Sequence, residues 1–285
     1  MLWKRIKRWL MELFGVDTKA VTLGDKVFMP LFYVTQTGGT AATWDYLNKS
    51  KDDQKYCRDM ILNMCKSGET PAICFLLTPG YEAGSVFDHF PKINEYNLSH
   101  AIDAMRECAW DGIAVVPCLY TDDKPANPVT HKGWFYEIES YEKEWGYIHE
   151  RIKRYVSAYC LSIESNEQCK TVSALQHYIY LMGKFMPGKP CGVHLQWQSR
   201  GSGNYVWNSL ASTPENADFI LVEFSWHPDN GDSKDVSGLQ SEMLIIQTEL
   251  KDKKLLFHEF NMNPAGEIMP EQRERMRSYR PWGVG

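Results

Sequence analysis

Short apolar, β-prone runs alternate along this chain with longer stretches whose apolar positions recur at helical spacing. The runs fall at 27–34 (VFMPLFYV), 72–78, 112–120, 159–165, 192–197, 219–226 and 254–261, with a stub at 282–285. Helical patterns lie between them near 52–66, 96–110, 141–156, 172–185, 236–250 and 270–279, while 198–218 reads as mostly irregular. Strands that alternate with helices in this way form parallel βα units, and nearly continuous apolar strands are those covered on both faces. Eight such strands predict an α/β fold, a (β/α)8 TIM barrel over residues 21–285 with its last βα unit incomplete, built as a single domain.

An open doubly wound sheet is the rival topology, and it usually carries a glycine-rich turn after its first strand. Thr37-Gly38-Gly39-Thr40 follows the first run but lacks the third glycine and the following acidic residue of that fingerprint.

Residues 1–20 form a separate element, a basic amphipathic helix with Leu2, Ile6, Trp9, Leu10 and Leu13 on one face and Lys4, Arg5, Lys7 and Arg8 largely elsewhere. The reading favoured is a helix that buries Ile6, Leu10 and Leu13 against the flank of strands eight and one. A contact with a partner or a lipid surface is the competing one. Glu12 interrupts the apolar part and no small-residue cleavage site follows, so the stretch does not read as a signal peptide. No run reaches the roughly 18 apolar residues of a transmembrane helix.

Composition narrows the partners. A net charge of −5 and a pI near 5.9 argue against nucleic acid, leaving a neutral partner such as carbohydrate open. Ten Trp and fifteen Tyr supply either core or flat platforms for sugar rings. The eight cysteines are scattered, with no C-x-x-C pair and no histidine at zinc spacing, which suits a reducing setting: the cytoplasm, or a viral particle.

In a barrel the chemistry sits at the C-terminal ends of the strands. Two glutamates stand out there. The fourth strand closes with Ser165-Asn166-Glu167, and the seventh with His258-Glu259-Phe260-Asn261. A second Asn-Glu pair, Asn94-Glu95, stands at the start of a predicted helix and is set aside. Alternation along each strand groups Glu259 with Asn261 on the seventh, Glu223 with Ser225 and His227 on the sixth, and His194 with Gln196 on the fifth. Trp197, Trp207 and Trp226 lie at strand ends or in the loop that follows. Tyr81, Glu82, His89, Tyr120, Asp122 and Asp123 are further rim candidates.

These residues resemble the clan-A retaining glycoside hydrolases, to which the family 5 cellulases and mannanases belong. The resemblance implies that Glu167 is the acid/base, that Asn166 bonds the sugar 2-hydroxyl, and that Glu259 is the nucleophile. Strand parity and position at strand ends make Trp197, Trp226, His227, His194, Gln196, Glu223, Tyr120 and Asn261 the candidate substrate contacts, and no cofactor or metal is expected. A retaining mechanism uses two carboxyl groups about 5 to 5.5 Å apart. Two departures stand out: Thr78-Pro79-Gly80-Tyr81 replaces an Arg common near the end of strand two, and Trp282 begins the eighth strand instead of ending it.

Other classes find less support. The eight histidines show no H-x-H and no H-E-x-x-H, against a metal hydrolase. A Schiff-base lysine needs a shielded strand position, but Lys26 and Lys254 both begin strands. The remaining alternative is a catalytically inactive barrel that binds glycan or serves a larger assembly such as a virion.

Overall fold

The computed structural model describes residues 6, 19–78, 85–89, 92–120, 142–163, 165, 171–197, 214–224, 248, 252–260, 273–274, 277–278 and 282–285. Eight parallel strands close a barrel: β1 (Val27–Phe28), β4 (Thr70–Leu76), β7 (Ala114–Tyr120), β8 (Tyr159–Ser162), β9 (Cys191–Trp197), β10 (Phe219–Phe224), β11 (Lys254–Phe260) and β12 (Gly283–Val284). β12 completes the ring by pairing with both β1 and β11. The Gly285 N–H to Phe257 O bond (2.8 Å) extends that pairing.

Four helices are described: α1 (Lys51–Met64), α2 (Glu95–Asp111), α3 (Glu142–Ile152) and α4 (Val172–Phe185). Their ends are set by local chemistry. Ser50 Oγ accepts the Asp53 N–H ahead of α1, and Thr171 Oγ1 accepts the Ala174 N–H ahead of α4. Asn94 Oδ1 does the same for Asn97 in α2, so the set-aside Asn94-Glu95 pair is a helix cap. Gly112, at φ 82°, ends α2 in the left-handed conformation that only glycine adopts freely, which delays the next strand to Ala114. The 236–250 helix lies outside the described residues apart from Thr248, which is helical, as are Arg273, Glu274, Arg277 and Ser278 in the 270–279 stretch.

Two cores result. The outer one joins the outward residues of the strands, such as Phe75, Val115, Leu161, Val193 and Phe257, to the inner faces of the helices. The inner one contains no residue of the four α-helices. It fills the barrel with Val27, Met29, Ala72, Cys74, Leu76, Val116, Cys118, Cys160, Phe219, Leu221 and Leu256. Cys74, Cys118 and Cys160 come from three adjacent strands, and full burial pushes the Cys74 and Cys118 thiols well up. Between barrel and helices, Arg58 is 4% exposed and donates to Tyr46 Oη (2.7 Å) and Asp111 (2.8 Å), with Glu107 at 3.1 Å.

Two expectations are corrected. The first run, 27–34, is not one strand: Pro30 has no N–H to continue the ladder, and the chain turns away after Phe28. It then forms the hairpin of β2 (Phe32–Val34) and β3 (Thr40–Ala42). Thr37-Gly38-Gly39 is the hairpin's turn, with Gly38 at φ 81° and the Thr35 N–H on Gly39 O, and not a nucleotide fingerprint. A second hairpin, β5 (Phe87–His89) and β6 (Lys92–Ile93), was not foreseen. Finally, Ile6 is helical but 38% exposed, against its expected burial, while Leu10 and Leu13 lie outside the described residues. The outward ring of Phe28 on β1 is covered instead by the guanidinium groups of Arg273 (5.5 Å) and Arg277 (5.3 Å). Arg277 is itself held by a two-pronged pair with Glu69 (2.6 and 2.9 Å).

Candidate active site

All eight barrel strands run the same way, so their C-terminal ends share one mouth. β8 and β11 are three places apart in the ring, separated by β9 and β10. Register rows order the residues by height. Gly192, Phe219 and Lys254 form the lowest row shared by β9, β10 and β11. His194, Leu221 and Leu256 form the middle one, and Gln196, Glu223 and His258 the upper one. His194, expected to point inward, lies in the row of the inner-core residues Leu221 and Leu256.

Above that row the β10–β11 ladder shifts. Glu223 pairs with His258 but Phe224 pairs with Phe260, so Glu259 is one extra residue on β11. The regular pairing of β10 with β11 is thus broken by a β-bulge at the mouth end of the two strands. Bulges recur beside active sites, where they re-aim a strand end. The sequence reading grouped Glu259 with the mouth without any signal for this shift.

His194 is fully buried and meets Trp44 edge to face, with ring centroids 5.4 Å apart and an interplanar angle of 86°. Trp44 comes from the 3-10 helix Thr43–Asn48 after the β2–β3 hairpin and joins the inner core together with Leu31 and Met29. This indole was missed by the sequence reading, since strand alternation says nothing of a residue delivered by a turn. It brings an aromatic ring to the mouth side of the barrel, where Trp282 does not reach. Trp282 precedes β12 and donates its indole N–H to Gly24 O (3.0 Å) at the opposite end.

The exit from β8 is locked locally. Ser165 Oγ donates to Ser162 O (3.1 Å), the two hydroxyls lie 2.9 Å apart, and both residues are buried. This turn fixes the backbone just before Asn166. Just beyond β4, the Thr78 hydroxyl donates to Leu119 O and ties two strand ends together. Tyr120 ends β7, in register with Ser162, and Trp197 ends β9, in register with Phe224; His89 ends β5.

Asn166, Glu167, Trp207, Ser225, Trp226, His227, Asn261, Tyr81, Glu82, Asp122 and Asp123 lie outside the described residues. Among the described residues no group of three or more His, Cys, Asp or Glu is disposed to hold a metal ion, and no helix is long and apolar enough to cross a membrane. Below the mouth, His149 is 2% exposed with Nδ1 2.9 Å from Tyr159 Oη, and burial lowers its pKa from the usual histidine value.

No family model and no curated protein sequence matches the chain. Solved structures do. A beta-glucosidase in its apo form is 9% identical with a TM-score of 0.51, covering 84% of this chain and 78% of its own. The exo-beta-1,4-mannosidase of Opitutaceae bacterium strain TAV5 is 10% identical with a TM-score of 0.56, over 91% of this chain and 54% of its own, so this chain spans about half of that enzyme. The family 1 beta-glucosidase of Thermotoga maritima is 11% identical with a TM-score of 0.52, over 93% of this chain and 84% of its own. At the level of the fold, the distant likeness to clan-A glycosidase barrels is met: the chain is a closed (β/α)8 barrel of the architecture those glycosidases use.

Proposed function

We propose that this chain is a glycoside hydrolase that cleaves a poly- or oligosaccharide by retaining double displacement, with Glu259 as nucleophile and Glu167 as acid/base. The observation that carries the reading is the single-residue bulge at Glu259, at the mouth end of β11 and beside the Gln196–Glu223–His258 row. The Ser162–Ser165 turn, which fixes the chain just ahead of Asn166 and Glu167 three strands away, supports it. So do solved glycosidases that share the barrel. In this mechanism Glu259 attacks the anomeric carbon while Glu167 protonates the departing oxygen. Glu167 then takes a proton from the water that releases the sugar.

A panel of 4-nitrophenyl glycosides, beginning with the β-glucoside and β-mannoside, tests it beside Glu259→Ala and Glu167→Gln. The expected result is hydrolysis by the wild type with retained anomeric configuration, and a fall of about 10²- to 10⁴-fold in Glu167→Gln. In Glu259→Ala, azide should restore turnover as the glycosyl azide of inverted configuration. Glycan binding without hydrolysis would replace this reading with an inactive, glycan-binding barrel. Hydrolysis undiminished in Glu259→Ala would remove Glu259 from its role.

A further inference from the structure

The end of the barrel opposite the mouth holds a cleft of about 380 Å3. That is within the roughly 300–1,000 Å3 range of small-molecule sites. Its aromatic surface is the half-buried Trp282, backed by the almost fully buried Phe219 with ring centroids 5.6 Å apart. One wall is the strap 20–23 and the other the turn 188–190. The strap is anchored at both ends, by the Ala20 N–H on Arg154 O (2.7 Å) and by Gly24, which bonds Thr70 Oγ1 (3.2 Å) and the Trp282 indole (3.0 Å). The recess is therefore built by tied backbone.

Its charge is unbalanced. Lys189 and Lys254 line it together with a single carboxylate, Asp218, which already accepts the Cys191 N–H at 2.7 Å. Among the described residues neither lysine forms an ion pair with a carboxylate. Lys189 is half-buried, and Lys254 holds its ammonium 5.6 Å from the centroid of the Trp282 ring. The Lys254 ammonium over the Trp282 ring, with Lys189 a second cation in the lining, attracts an anion that also carries a flat apolar body.

We propose that this cleft binds a small organic anion, a carboxylate or phosphate monoester on a short flat body, with Lys189 and Lys254 on its charged head and the aromatic surface beneath its body. The site lies at the other end of the barrel from the mouth and does not depend on the glycosidase reading.

Calorimetric titration of the full chain with phenyl phosphate, benzoate, inorganic phosphate and neutral benzamide tests it. Phenyl phosphate or benzoate should bind at one site, with benzamide and inorganic phosphate each at least about tenfold weaker. Lys189→Gln/Lys254→Gln should weaken binding by at least about tenfold at an unchanged melting temperature, and Lys189→Arg should retain most of it because the charge is kept. Glu259→Gln, at the mouth, should bind as the wild type does. No saturable binding, equal affinity for benzamide, indifference to the lysine substitutions, or loss of binding in Glu259→Gln would each overturn the proposal.

Discussion

Gly192→Ala is the sharpest test of how the lower barrel is packed. Gly192 faces Phe219 in register, and a Cβ at residue 192 would stand 2.4 to 2.5 Å from three atoms of the Phe219 ring. Ordinary carbon contacts are about 3.5–4.0 Å, so the ring would have to withdraw by more than an ångström. It has little room, being 1% exposed, set in the inner core with Leu221 and Leu256, and backed by Trp282. Overpacking of this kind costs about 1–3 kcal/mol, and the restricted unfolded chain of alanine returns about 0.4–1 kcal/mol. The net loss is about 1–2 kcal/mol, or a melting temperature lower by about 2–3 °C for a domain of this size. Urea and thermal unfolding of the single variants and of Gly192→Ala/Phe219→Leu complete a double-mutant cycle. Phe219→Leu alone is destabilising because it leaves a cavity. In the double variant the smaller side chain makes room for the new methyl, so the two losses should fall short of their sum by about 1 kcal/mol or more. An unchanged midpoint in Gly192→Ala, or strict additivity in the cycle, would refute the contact.

Arg58→Met removes the shared partner of Tyr46, Glu107 and Asp111 and should cost about 3 kcal/mol by urea midpoint, the low end for a broken buried pair because Asp111 is partly solvated; a loss under about 1 kcal/mol would contradict the network. His149 has its folded pKa lowered by burial, so as pH falls the unfolded chain takes up the proton first. Its stabilising contribution is complete above the unfolded value of about 6.5 and is lost as pH falls through the lower folded value. The wild-type melting temperature should then drop between about pH 7 and pH 5 more than that of His149→Gln, and parallel curves would exclude His149 as the cause.

Much of the barrel could be read from the chain because periodicity is a local property. Val172–Phe185 forms the helix that its apolar spacing predicts, and each of the eight expected strands contributes to the ring. A run of apolar residues between helices has few ways to cover both faces, so order and class follow from the pattern. Alternation likewise gave the right parity to His194, which is buried inside the barrel. The candidate glutamates were picked out by position at strand ends, which distinguished Asn166-Glu167 from the capping pair Asn94-Glu95.

Other features were decided only when distant segments met. Pro30 carries its meaning in the sequence, but that the chain beyond it folds back on Thr40–Ala42 depends on which strand is there to pair. The bulge at Glu259 exists only relative to β10: one residue too many on one strand has no local signature, yet it breaks the regular pairing at the mouth. Trp44 reaches His194 from a turn some 150 positions away in the sequence, where no periodicity links them. The basic cleft joins residues near both termini because closure of the ring by β12 brings Trp282 beside Gly24 and Lys254. Hydrophobic pattern is written residue by residue and survives in the unfolded chain, whereas register, ring closure and the pairing of distant loops are properties of the assembled barrel alone.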